Sequence, residues 1–138
     1  MKPIKNLARD VDEFTRAYIE TALWSSTDDE GVPLDRNYCW SHIADDDLNK
    51  MVADCKRFQE QQNAVIQAAI DSDKGVMYGP DFGPWGRAGH DFWLTRNGHG
   101  AGFWDGDWPE PQAEQLTAAS KAFGEYNLYV GDDGKLYL

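Results

Sequence analysis

The segment His90-Asp-Phe-Trp-Leu-Thr-Arg-Asn-Gly-His-Gly-Ala-Gly-Phe-Trp-Asp105 sets four aromatic residues and three glycines around an Asn97-Gly98 pair. Asn-Gly between apolar-rich runs is the strongest short-range signal for a tight β-hairpin. Read so, side-chain alternation divides the segment into two faces. His90, Phe92, Leu94 and Arg96 lie with Ala101, Phe103 and Asp105. Asp91, Trp93 and Thr95 lie with Gly100, Gly102 and Trp104. The first face is expected to cover a core; on the second, Trp93 and Trp104 either fill the groove left by the glycines beneath the Lys74–Gly89 loop or form an exposed aromatic platform.

The rest of the chain is read outward from this hairpin. Val11, Phe14, Tyr18 and Ala22 recur at helical steps, predicting a helix from about Asp10 to Leu23, with Asp10 as candidate N-cap. Ser25 to Asn37 is a loop, since Pro33 stops a helix. Leu48, Met51, Val52, Cys55, Phe58, Val65, Ile66 and Ala69 predict a longer helix from Asp45 to Asp71, with Asp45, Asp46 and Asp47 at its positive end. Lys74 to Gly89 has five glycines and two prolines and reads as an irregular connection. A third helix runs from Pro109 or Pro111 to Phe123, with proline suited to its first turn. At the end, Asp132-Asp133-Gly134 predicts a second hairpin that pairs Val130 with Leu136, Tyr129 with Tyr137 and Leu128 with Leu138. The expected order is helix, helix, hairpin, helix, hairpin. This is a single α+β domain over residues 1–138, with three helices packed on one face of a small antiparallel sheet.

Composition narrows the function classes. With 138 residues, 41% of them hydrophobic, the chain is large enough to bury a core without disulfides. Two cysteines, Cys39 and Cys55, have no CxxC spacing and read as reduced thiols. The N-terminal segment lacks the apolar core of a secretory signal, and no run is long enough to cross a bilayer. A cytoplasmic protein is expected. The 24 acidic residues outnumber 13 basic ones, for a formal net charge of −11. Without clustered Lys and Arg, direct binding to nucleic acid or to an anionic membrane is disfavoured. A protein partner with a basic surface is the sharper expectation.

Candidate chemistry centres on the same segment. The hairpin would bring His90 near Asp105, with Asp91 as the other carboxylate within reach, forming a base with its orienting partner. Cys39, His42, His99 and Asp107 would join only through loop positions. Their spacing matches no metal pattern, and no phosphate-binding or nucleophile motif is present, so no metal or cofactor is expected. His99 and Arg96 would form a cationic tip at the turn. The acidic runs Asp28, Asp29, Glu30 and Asp45, Asp46, Asp47, together with Trp93 and Trp104, are the candidate binding residues.

Three segments also resemble a group of small, acidic, phage-encoded proteins. They are Ala22-Leu-Trp-Ser-Ser-Thr-Asp-Asp-Glu-Gly-Val-Pro-Leu-Asp35, the Asp91–Gly106 segment, and Lys121-Ala-Phe-Gly-Glu with Leu128-Tyr-Val-Gly-Asp-Asp-Gly-Lys-Leu-Tyr137. The resemblance implies a viral origin and a bacterial cytoplasm, and carries over no catalytic residue. Three functions follow as expectations. The first is an acidic protein that inhibits or modulates a host nucleic-acid-binding or defence protein, its carboxylates standing in for phosphates. The second is a small hydrolase that uses His90 with a carboxylate or a metal. The third is an accessory phage protein whose Trp93/Trp104 face forms a homo-oligomer.

Overall fold

The computed structural model describes residues 4–138. It is mainly helical. In chain order come α1 (Leu7–Asp10), α2 (Glu13–Ser25), α3 (Asp45–Asp71), α4 (Pro84–Arg96) and α5 (Gln112–Ala122). Single 3₁₀ turns lie at Leu34–Arg36 and Trp40–His42, and a short ribbon of β1 (Tyr129–Val130) and β2 (Leu136–Tyr137) closes the order. The expected α+β architecture is therefore corrected: among the described residues the two-strand ribbon is the whole of the sheet, and helices make up the body.

The correction falls on the central segment. Residues 90–96 are the last two turns of α4, and Asn97-Gly98 ends that helix instead of turning a hairpin. Gly98 adopts a left-handed φ of 68°. Its N–H donates to the Thr95 carbonyl at 3.2 Å, and the His99 N–H donates to the Leu94 carbonyl at 3.0 Å. That pair of bonds is the Schellman C-cap, which uses the same glycine conformation as a tight hairpin turn. The helical period is present on closer spacing: Trp85, Ala88 and Gly89, Phe92 and Trp93, then Arg96 recur every three or four residues. Pro84 sits in the first turn, where its missing N–H costs no bond. Glu13 on α2 accepts the Gly83 N–H at 2.7 Å and anchors the start of α4.

The glycines in this segment serve packing. A Cβ on Gly89 would lie 1.9 Å from the Phe14 carbonyl oxygen, so α2 and α4 approach as closely as their backbones allow. These two helices share the most extensive contact in the molecule. Around their crossing, Phe58 of α3 stacks on Phe92 with ring centroids 4.1 Å apart, and Tyr18 meets Trp93 edge to face at 5.3 Å. One hydrophobic cluster extends from Leu7 to Leu136 and joins every helix to the ribbon.

Other elements follow the sequence closely. Helix α3 has the expected bounds, and α5 lies within its expected range. Helix α2 is capped by Asp12, which accepts the Thr15 N–H at 2.8 Å, not by Asp10. Asp10 instead accepts backbone N–H groups of Lys5 and Asn6, and these bonds hold its carboxyl down to about 2. In the ribbon, Tyr129 pairs with Tyr137 and Val130 with Leu136, and Gly134 takes a φ of 80°. Leu128 and Leu136 are buried while the tyrosine rings stack outside, as alternation predicts.

The close approach of α2 and α4 makes Gly89 intolerant of a side chain. Gly89→Ala is expected to lower the unfolding free energy by about 2 kcal/mol despite alanine's better helix propensity, because backbone must move. Gly79→Ala, where an added Cβ meets nothing within 4 Å, should stay within about 0.5 kcal/mol. Urea denaturation of the two variants checks this.

Candidate functional site

The residues expected to share two hairpin faces are separated by the helix. Trp93 is fully buried and donates its indole N–H to Ser25 Oγ at 2.8 Å, whereas Trp104 is 53% exposed in the loop after α4. The aromatic platform is therefore not formed, and the oligomer expectation loses its face. Arg96, expected at a cationic tip, is 2% exposed. Its Nη1 donates to Asp54 Oδ2 at 2.9 Å and to the Tyr18 hydroxyl at 3.1 Å. Its Nε and Nη2 donate to the carbonyls of Gly124 and Phe123. Phe92, Phe123 and Tyr126 rings lie within 5.0–5.6 Å of the guanidinium carbon. Burial pushes the Tyr18 phenol up, so it stays neutral beside this pair. His99 follows the helix cap and lines a small cavity with Ser25, Ser26 and Thr27.

His90 and Asp105 do not meet. Asp105 accepts the Gly102 N–H in a local turn. The carboxylate beside His90 is its neighbour Asp91, whose Oδ1 lies 3.0 Å from Nδ1. Asp91 is fully buried, and its Oδ2 also accepts Arg87 Nε at 3.0 Å and Trp108 Nε1 at 2.7 Å. Arg87 continues the chain to Asp107. A carboxylate only accepts, so Nδ1 carries the proton, and Nε2 makes no hydrogen bond among the described residues. The imidazole lies against the rings of Trp24 and Phe82 at 5.8 and 5.9 Å. This oriented histidine has the geometry of a base held in place by a buried carboxylate. Among the described residues, no group of three or more His, Cys, Asp or Glu comes together to hold a metal.

The acidic runs have distinct fates. Asp28 Oδ1 accepts the N–H groups of Glu30 and Val32 and shapes the loop, leaving Asp29 and Glu30 exposed. Asp45, Asp46 and Asp47 form the first turn of α3, where the helix dipole favours them. The ribbon straps across this end. The Ala44 N–H donates to the Leu136 carbonyl, and the Leu138 N–H donates to Asp47 Oδ2 at 3.2 Å. The Tyr137 phenol is raised foremost by its hydrogen bond to Asp133, with the Asp47 charge adding to the effect.

Sequence reasoning missed the segment Tyr38-Cys39-Trp40-Ser41-His42. It folds as a single 3₁₀ turn between the loop and α3, and Trp40 lines three cavities that adjoin it. Cys39 is exposed there, its Sγ 2.9 Å from Ser41 Oγ and 3.6 Å from His42 Nδ1. Cys55, in contrast, is fully buried, and that burial pushes its thiol up. The available signal was density: five consecutive residues that each carry an aromatic, thiol, hydroxyl or imidazole group. No periodicity marks such a turn.

Comparison with protein-family models, with curated proteins and with solved structures gives no match. No helix among the described residues is long and apolar enough to cross a membrane.

The Arg96–Asp54 pair has a measurable signature. Asp54→Ala strands a buried guanidinium and is expected to cost about 3 kcal/mol or more. Adding Arg96→Met should recover much of that loss, because the two side chains act as one unit. A double-mutant cycle in urea, with a coupling energy near zero as the contrary result, tests this.

Proposed function

We propose that this chain is an acidic binding protein that covers a basic surface of another protein and performs no chemistry of its own. The observation that carries the reading is how the fold sorts its charges. Of the 24 acidic residues, Asp54 and Asp91 alone are buried. Each holds an arginine, Arg96 or Arg87, in or near the interior. Carboxylates are left facing solvent on the loop at Asp29 and Glu30, at the start of α3 and on the ribbon turn. Such a surface repels nucleic acid and attracts proteins that bind it.

The resemblance to phage-encoded proteins supports a partner in a bacterial host, a nucleic-acid-binding or defence protein. Exposed acids also occur on α2 and α5, so the mimicry is of charge sign and not of a regular phosphate array, in which charges recur about every 1.7 Å along the axis. The reading predicts low-salt capture of a nucleic-acid-binding protein from bacterial lysate on immobilised chain. Salt should release it as the screening length falls below about 10 Å, and duplex DNA should compete for it. Capture that resists both salt and DNA, or no capture, overturns the reading.

The His90–Asp91 pair favours a second reading, a small hydrolase that uses Nε2 as base. Its requirement is plain: His90→Ala should lower a hydrolytic rate of the purified chain by more than about a hundredfold, the usual scale of general-base loss. An unchanged rate in a folded variant leaves the dyad as a structural tie between α4 and Trp108.

A further inference from the structure

Three cavities, of about 280, 350 and 390 Å³, meet around Trp40 on one side of the molecule. The largest of them has walls of unusual chemistry. Trp24, Tyr38 and Trp40 supply three aromatic rings, and Glu20 and Asp35 supply two carboxylates, with buried leucines completing the lining. Among the described residues, no lysine or arginine lines it. Glu20 is engaged by Arg16, one helical turn earlier, at 3.3 Å. Asp35 makes no ion pair or side-chain hydrogen bond among the described residues and is exposed. Trp24 is 46% exposed, so its ring is available from solvent.

Each feature selects the same ligand chemistry. Ring faces attract cations through the quadrupole, with tryptophan the strongest. Carboxylates beside the rings supply the opposite charge, and an apolar lining suits the methylene stem that carries an ammonium or guanidinium head. An anion would meet the Asp35 carboxylate, which forms no ion pair among the described residues, and a neutral ligand would draw no charge attraction from it. The volume lies within the range of pockets that enclose small organic groups.

We infer that this cavity receives the cationic head of an arginine or lysine side chain presented by the basic partner. The inference rests on the acidic-binding reading for the source of the cation, and adds to it an anchoring pocket. Charge complementarity steers the partner to the surface, while the pocket gives one side chain a fixed seat.

Cys39 stands in the wall of the same cavity and supplies the readout. A neutral alkylating reagent such as iodoacetamide should modify Cys39 in the folded chain and spare the buried Cys55. An arginine-bearing peptide of the captured partner, or Nα-acetyl-arginine amide as the minimal probe, should slow that modification in a saturable manner. The citrulline analogue, equal in shape and uncharged, should not. Asp35→Asn and Trp24→Ala, both at exposed positions, should each weaken protection about fivefold, while Asp73→Asn, exposed and outside the cavity lining, leaves it unchanged.

Protection by acetyl-arginine amide and by the peptide, weakened in Asp35→Asn, supports the inference. A partner that binds in a salt-dependent way yet leaves Cys39 labelling unaltered overturns the pocket and leaves the acidic-binding reading standing. Protection by the small probe alone, with no protection by any arginine-bearing peptide, overturns the assignment to a protein side chain. Equal protection by citrulline overturns the charge argument.

Discussion

The guanidinium of Arg96 is the tie on which the molecule's arrangement depends. It comes from the last turn of α4 and reaches Asp54 on α3, Tyr18 on α2 and the carbonyls of Phe123 and Gly124 that end α5. Four helices are thus fixed by one side chain whose charge cannot be removed by deprotonation. Burying such a charge is costly unless its donors find well-aligned acceptors, and here four named bonds from Nε, Nη1 and Nη2 supply them. Aromatic rings pack over the guanidinium and exclude water, which strengthens every bond around it.

The same logic repeats at lower depth. Asp91 is buried beneath Arg87, Trp108 and His90, and it binds the irregular 107–108 segment to α4. The interior therefore uses two carboxylates to hold two arginines. Each pair is neutral, so the outer surface keeps the chain's whole net charge of −11. Architecture and charge display are two results of one distribution of polar groups, which is why the acidic surface carries the functional argument while His90 serves as the alternative.

Much of this was legible in the sequence, and the failures have physical causes. Helix α3 and the ribbon register could be read because periodicity, end signals and turn chemistry agreed there. Helix α4 could not, because Asn97-Gly98 satisfies both a hairpin turn and a helix C-cap, and the left-handed glycine is common to both. Gly86 and Gly89 were read as breakers, yet they are the residues that let α4 lie against Phe82 and against the backbone of Phe14. Propensity yields to packing when a glycine removes a clash. Strand parity puts Trp93 on the outer face, and the hairpin turn puts Arg96 at a cationic tip, although both are buried. The His90–Asp91 pair survived the error because the residues are adjacent in the chain. The Trp40 turn gave no periodic signal at all, so its cavities became visible only once α2 and α3 were set beside it.

Hydrogen exchange at the Arg96 side chain tests the central claim most directly. In 15N-edited spectra the Arg96 Nε–H should appear as a single, slowly exchanging resonance. It should be protected to the same free energy as the amides of Phe92 and Trp93, since only global unfolding frees it. An Nε–H that exchanges at the rate of a solvated guanidinium while those amides remain protected would show that the arginine lies outside the core, and would contradict the account.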